Sequence, residues 1–314
     1  MLWMCRRRRG RTDVRVLATI VLFVYNRPEH TRRTLAALAA DPMAVESDLV
    51  IYADAPKKPE HLPSVDAVRE LIRRTSGFRS VTVVEREANF GLAKSIISGV
   101  SEICAARGRV IVVEDDLVVS PYFLSFLNAG LDRYQGEERV LQISGYAYPA
   151  HDQSTPPSFF LPMVSCWGWA TWSRAWAHFD PGMLALNELD NDPSARRQFN
   201  LDDVYDYYGM ACQQRQGKID SWGIRWQLSL FARHGVVLYP RDSLVYNAGV
   251  DASGTHGKGQ AAFQRELAGA DLAPGAMTWP TSIATDDLAM SQVKQLLRAN
   301  RPGLVRRLIE RLRA

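Results

Sequence analysis

Cysteine is scarce in this sequence and what there is lies scattered: Cys5, Cys104, Cys166 and Cys212 are the four in 314 residues, and no two form a CxxC pair. That spacing argues against a zinc site and offers no disulfide framework, so a reducing, cytoplasmic compartment is expected. Long apolar runs are also missing. The stretch VLATIVLFVY at 16–25 is about half of the roughly 20 residues that a membrane-spanning helix needs, and MLWMCRRRRGR places its charges after too short an apolar start for a signal peptide. Charge of one sign is confined to the ends. The formal net charge is +4, with Arg6, Arg7, Arg8, Arg9 and Arg11 near the start and another arginine run at the end. No basic face interleaved with aromatics falls inside the folded part, so no nucleic-acid partner is expected. Internal repeats and low-complexity linkers are absent as well, which predicts one continuous core rather than two mobile domains.

What is present is a regular alternation. From Val16 to Ser144, β-branched runs exchange with stretches of helical period: VLATIVLFVY then HTRRTLAALAA, DLVIYAD then VDAVRELIRR, SVTVVER then LAKSIISGVSEICAA, RVIVVED then PYFLSFLNAGLDRY, and finally RVLQIS. A β-α-β-α series of this kind predicts an α/β fold with a mainly parallel, Rossmann-like sheet and helices on both faces, its ligand site beyond the carboxyl ends of the strands. Past residue 146 the chain turns rich in Pro, Gly and Trp, with a helical region near 200–234 and the short strand VVLYP. The expected organisation is a basic tail over 1–15, a ligand-binding half over 16–150, a substrate-side half of the same domain over 151–285, and basic C-terminal helices over 286–314. The last segment, RPGLVRRLIERLRA, aligns Leu304, Val305, Leu308, Ile309 and Leu312 on one helical face. Packing on the body is the commoner use of such a face, and a peripheral contact with the inner face of the cell membrane is the alternative.

The strand ends carry the chemistry. Glu114-Asp115-Asp116-Leu117 follows the apolar strand RVIVV, and three successive carboxylates there repel one another unless a cation or a cationic side chain sits among them. A divalent ion, Mn2+ or Mg2+, is the economical partner, because oxygen ligands suit it and an ion held by one or two carboxylates keeps positions open for a diphosphate. A solvated acidic turn is the plainer reading of the same residues. The first strand ends in Tyr25-Asn26-Arg27-Pro28, where Arg27 can reach a phosphate and Pro28 can open a helix. The second ends at Asp54, where a carboxylate can accept from a base N–H. The third leads through Arg86 and Asn89 to Gly91 and Lys94, two cations beside a helix N-terminus suited to phosphate. Turn or cap roles compete for Asn26, Asn89 and Asp54.

In order and spacing, VYNRP, YADAP, ANFGLAKSI and EDDL resemble the GT-A nucleotide-sugar transferases. EDDL, with the later Asn247-Ala248-Gly249-Val250-Asp251-Ala252-Ser253-Gly254-Thr255-His256, is similar to bacterial relatives of the N-acetylglucosaminyltransferase I family. The likeness spans about residues 16–257 and implies a UDP-sugar donor, inversion, Asp54 on the nucleobase, Arg86 and Asn89 by the nucleoside, Asp115 on the donor sugar or ribose, and Asp116 on the metal. It also implies that Ser253 and His256, the latter a second candidate metal ligand, lie in a loop closing over the diphosphate; Gly249, Gly254, Gly257 and Gly259 give that loop its freedom. Inversion requires a base for the acceptor hydroxyl. Asp220, in KIDSWGIRW, is the candidate, with Asp202, Asp203 and Asp251 as substitutes, since Gly223 stands where related eukaryotic enzymes carry an acidic residue. On the acceptor side Trp167, Gly168 and Trp222 are expected to line the pocket for a glycan, lipid-linked or polysaccharide acceptor, whereas Trp169, Trp172 and Trp176 have helix-like spacing and read as core. YNRPEHT lacks the Gly-rich loop of a sugar-phosphate nucleotidylyltransferase and the GxGxxG of a dinucleotide enzyme. A non-catalytic carbohydrate-binding relative is the remaining alternative.

Overall fold

The computed structural model describes residues 16–251, 263, 264, 267 and 277–300. Its first four strands, β1 (Thr19–Val24), β2 (Asp48–Ala53), β3 (Ser80–Glu85) and β4 (Arg109–Glu114), lie where the apolar runs put them, and the helices between them, α1 (Pro28–Ala39), α2 (Leu62–Arg73) and α3 (Gly91–Arg107), follow the 3.6-residue period. All six residues of β1 are buried, as a strand covered on both faces requires, while β3 at the sheet edge is half exposed. These strands pair in parallel in the order β3-β2-β1-β4, with Val24 opposite Ala53, Phe23 opposite Glu114 and Ala53 opposite Glu85. The residues following each strand therefore emerge at one edge and at one level.

The strand order reverses between β1 and β4. Two successive right-handed crossovers in one direction put α1 and α2 on one face; the return crossover from β3 to β4 puts α3 on the other. A crevice opens at such a switch point, between the chain leaving β1 and the chain leaving β4.

Beyond β4, the sheet continues through β8 (Trp169–Trp172), β6 (Val140–Ser144), β9 (Val236–Pro240) and β7 (Ser158–Leu161). β8 runs antiparallel to both β4 and β6, and β7 antiparallel to β9, so six of the eight strands share a direction. This is an α/β fold with a large, mainly parallel sheet flanked by helices. The helix-like spacing of the tryptophans is corrected here: Trp169 and Trp172 lie on β8, and Trp176 ends the short helix α5 (Ser173–Trp176). All three are buried, so their expected core role holds. The helical region near 200–234 divides into α8 (Tyr207–Arg215) and α9 (Trp222–Ala232), preceded by α6 (Leu186–Asn191) and α7 (Pro193–Phe199). A second, two-stranded sheet pairs β5 (Leu117–Val119) antiparallel with β10 (Val245–Asn247), aligning Asn247 with Leu117. α4 (Phe123–Arg133) packs against β6 and β8, and α10 (Asp287–Ala299) covers the edge strand β7.

One apolar cluster extends without a break from Ala18 on the first strand, through Trp169, Trp226 and Leu238, to Val293 and Leu297 on α10. A smaller one gathers Met183, Leu186, Leu189, Phe199, Ala211, Ile224 and Leu228 beneath α6–α9. Among the described residues no helix is long and apolar enough to cross a membrane. The basic tail over 1–15, the C-terminal stretch 301–314, Ser253 and His256 lie outside the described residues.

Candidate functional site

Register and the switch point bring the turn after β1 to the acidic turn after β4. Pro28 opens α1, and the Arg27 carbonyl accepts from both the backbone N–H and the Oγ1 of Thr31, at 2.9 and 2.8 Å, which fixes the Arg27 backbone at the start of the helix. Its guanidinium reaches the carboxylates directly. Arg27 Nη1 donates to Asp116 Oδ2 at 2.8 Å and lies 3.8 Å from Asp115 Oδ1, with the three side chains 13–18% exposed. The Tyr25 N–H donates to Asp115 Oδ2 at 3.4 Å and Thr34 Oγ1 to the Asp115 carbonyl at 2.8 Å, so α1 helps hold the acidic turn. Tyr25 Oη accepts from the Lys57 N–H at 2.8 Å and lies 2.6 Å from His61 Nδ1. Asn26 sits half-buried between Tyr25 and Arg27.

The β5–β10 pair closes the other side. Ala248 N–H donates to the Asp116 carbonyl at 2.7 Å, and Gly249 N–H to Asn247 Oδ1 at 2.8 Å. Gly249 lies so close that a Cβ there would stand 2.2 Å from Asp116 Oδ2. The loop expected over the diphosphate thus starts against the acidic turn; its later residues, Ser253 and His256 included, fall outside the described region.

Among the described residues the Arg27 guanidinium faces this run of carboxylates. Burial, reinforced by the charges of Asp116 and Asp115, holds the Glu114 pKa well above the usual range, and burial with the Asp116 charge pushes Asp115 up to about 7 although Arg27 and the Tyr25 N–H act against it. Carboxylates that raise one another's pKa favour an added cation, and an all-oxygen donor set fits Mn2+ or Mg2+, with Asp116 and, beside it, Asp115 as the residues that would hold the ion. Among the described residues no three His, Cys, Asp or Glu side chains form a ready cage, so the protein would supply one or two ligands and leave the remainder to a bound diphosphate.

Asp54 takes a different part from the one its position suggested. Its Oδ1 and Oδ2 accept from the Phe90 N–H at 2.8 and 3.0 Å, and Oδ2 accepts from the Gly91 N–H at 2.9 Å. Gly91 supplies the positive φ (71°) on which α3 starts. In place of a free acceptor for a base N–H, Asp54 is the anion at the N-terminus of α3. Arg86 also turns inward: its guanidinium donates to Ser95 Oγ and, at 3.1 Å, to Ser98 Oγ, and packs 4.3 Å from the Phe90 ring centroid. Burial lowers its pKa. These contacts tie the chain after β3 onto α3. Asn89 Nδ2 donates to the Ala55 carbonyl at 2.7 Å, and the exposed Lys94 lays its Nζ 4.1 Å from the Phe90 centroid.

In the acceptor-side half the expectations divide. Trp167 is half-buried, edge-on to Tyr146 at 4.8 Å. Gly168 is corrected: it is buried with φ 62°, and a Cβ there would meet Val245 at 2.8 Å and Phe123 at 2.9 Å, so its smallness serves packing. Trp222 is corrected for a similar reason, being 4% exposed and stacked on Trp169 at 5.1 Å. Asp220 is 65% exposed and paired with Arg225 at 2.6 Å, while the adjacent Ser221 caps α9 by accepting from the Ile224 N–H. Asp202 is held by Lys294 at 2.7 Å.

Sequence reasoning named Asp202 and Asp203 but passed over the turn they form. Leu201, Asp202 and Asp203 all have positive φ, a left-handed turn that non-glycine residues enter at a cost. It delivers Tyr205 and Tyr207, whose rings lie 4.6 Å apart. Burial pushes the Cys166 thiol up to about 12, with Glu114 adding to it, and burial likewise raises both tyrosines. The three consecutive left-handed residues left no glycine signal, and the Cys166 contact is long-range.

No family model matches the chain, and no curated protein matches it. Solved structures do. Mannosyltransferase PcManGT from Pyrobaculum calidifontis, in complex with GDP-Man and Mn2+, is similar at 12% identity over 56% of this chain and 47% of its own, with a TM-score of 0.33. S. aureus TarS 1-349 is similar at 15% identity over 74% and 60%, with a TM-score of 0.41, and UDP-glucose pyrophosphorylase complexed with UDP-glucose at 13% over 74% and 94%, with 0.39. The chain thus spans about half the length of the mannosyltransferase that it matches.

Proposed function

We propose that this chain is a GT-A type glycosyltransferase that moves a sugar from a nucleotide diphosphate donor, a UDP-sugar by motif resemblance, onto a glycan, lipid-linked or polysaccharide acceptor with inversion. The observation that carries the reading is the acidic turn Glu114–Asp116 standing at the switch point of the sheet, faced by Arg27, with the glycine-bearing segment after β10 against it. A divalent cation held by Asp116 would supply charge stabilisation for the departing diphosphate. Arg27 can add its guanidinium to the same phosphates. At the start of α3 the Phe90 and Gly91 N–H groups are already taken by Asp54.

Asp220 remains the base of this proposal. It stands at the entry of α9, where Gly223 packs on Cys166, and Arg225 holds its carboxylate in place at 2.6 Å, where it would accept a proton from an acceptor hydroxyl. Trp167 would offer a ring to the acceptor.

The test is thermal shift against a panel of nucleotide diphosphates and nucleotide sugars, with and without Mn2+. A rise in Tm with one nucleotide family that needs the metal is expected; no rise with any of them would leave a binding relative without donor chemistry. In Asp220→Asn, donor binding is expected to persist while turnover falls by at least about a hundredfold, the usual scale of a lost general base. Full turnover would move the base elsewhere.

A further inference from the structure

The acidic turn already has a cation on it. Arg27 Nη1 lies 2.8 Å from Asp116 Oδ2, one of the two carboxylate oxygens that could hold an incoming metal ion, and 3.8 Å from Asp115 Oδ1. On its other side the same Oδ2 is closed off by Gly249, whose Cα leaves no room for even a Cβ. Asp116 therefore cannot turn toward the β10 side to offer that oxygen to an ion while keeping Arg27. Arg27 is the partner that can yield. Its backbone is pinned by the start of α1 through Thr31, but a guanidinium on four rotatable bonds swings from a fixed root at little cost, and a diphosphate offers it a bidentate site.

The geometry points to Arg27 as a displaceable counter-cation: in the free protein it neutralises Asp116 and competes with a divalent ion, and a bound nucleotide diphosphate, by giving the guanidinium another anion, releases Asp116 to the metal. This rests on the donor reading above and adds to it a coupling between the two ligands. The Asp115–Arg27 separation shows the same guanidinium shared between two carboxylates, so its departure removes this cation from both. Nucleotide and metal should then bind cooperatively by more than their direct contact provides, and by linkage the effect is reciprocal.

Calorimetric titration of Mn2+ alone into wild type, Arg27→Ala and Arg27→Gln tests this, each protein first shown folded by circular dichroism; a second set of titrations follows with UDP present. Removing a competing cation should tighten Mn2+ binding by about tenfold in both variants, within the usual range for coupled sites. The factor by which UDP improves Mn2+ affinity should shrink correspondingly from its wild-type value. A side chain that merely supports the fold would weaken both titrations, and a phosphate ligand without competition would lower UDP affinity and leave Mn2+ alone unchanged; either result overturns the inference. UDP-dependent Mn2+ binding in wild type with no tightening in the folded variants would overturn the role of Arg27 and leave the donor reading standing. Tighter Mn2+ binding in the variants without a response to any nucleotide diphosphate would keep the competition with Mn2+ but overturn the release by nucleotide and the transferase reading. No Mn2+ binding in any of the three proteins would overturn both.

Discussion

Asp116 is held from three directions, by Arg27 on Oδ2, by the Ala248 N–H on its carbonyl, and by the Cα of Gly249 against its carboxylate. Its side chain therefore has one place to be, and single-atom changes around it should tell. In Gly249→Ala the new methyl would fall 2.2 Å from Oδ2, so either the carboxylate leaves Arg27 or the 248–251 turn moves. A loss of about 1–3 kcal/mol in urea denaturation is expected, the range for overpacking, together with loss of the Mn2+-dependent nucleotide shift. Asp116→Ala removes the carboxylate but no packing, and Arg27 retains Asp115 nearby. That variant should keep its fold by circular dichroism and lose Mn2+-dependent UDP binding in calorimetry; undiminished binding would take the metal away from Asp116.

Two helices of the first half start on carboxylates borrowed from distant parts of the chain. α3 begins on Asp54, so Asp54→Ala should cost about 1–2 kcal/mol, the worth of a lost N-terminal acceptor, measured by urea denaturation and unaffected by added nucleotide. α4 begins on Asp41, whose oxygens accept from the Met43 and Leu124 N–H groups at 2.9 Å each. Burial outweighs those two bonds and pushes Asp41 up to about 6. The folded state thus binds this proton more tightly than the unfolded chain does, so the contribution of Asp41 to stability is full below about pH 4 and declines as pH rises to about 6, by on the order of 3 kcal/mol. Asp41→Asn should abolish that decline. The check is the urea midpoint of wild type minus that of the variant at pH 4.5 and at pH 7, a signed value that should fall on going to pH 7; an equal value at both would place Asp41 in a more polar setting. The sequence marked these elements well. It placed α3 and α4 by periodicity, yet neither carries an N-cap side chain of its own, and no local pattern connects Asp41 to Leu124 across 83 residues.

At the scale of the whole molecule, the main apolar cluster joins β1 to α10 without a gap, and Trp226 reaches across it to donate to Gln142 Oε1 at 3.1 Å. Such continuity predicts one cooperative transition. Unfolding followed by tryptophan fluorescence, which reports largely on the β8–α9 junction, should coincide with unfolding followed by far-UV circular dichroism; separated midpoints would mean that the two halves melt independently.

The parallel half of the sheet, its helices and the strand-end positions of Arg27, Asp54, Asp115 and Asp116 were determined by sequence alone, because burial on both faces forces apolar runs and 3.6-residue periods that can be read locally. Which partner each of those side chains takes was decided only by tertiary structure. Asp54 and Arg86 looked like ligand contacts until α3 folded onto them, and Gly168 and Trp222 looked like pocket lining until Phe123, Val245 and Trp169 closed around them. Arg27 and Asp116 are 89 residues apart and become an ion pair only because the strand order reverses between β1 and β4. Periodicity records which face of an element is buried; it carries no information about what charge the fold will bring to that face from elsewhere in the chain.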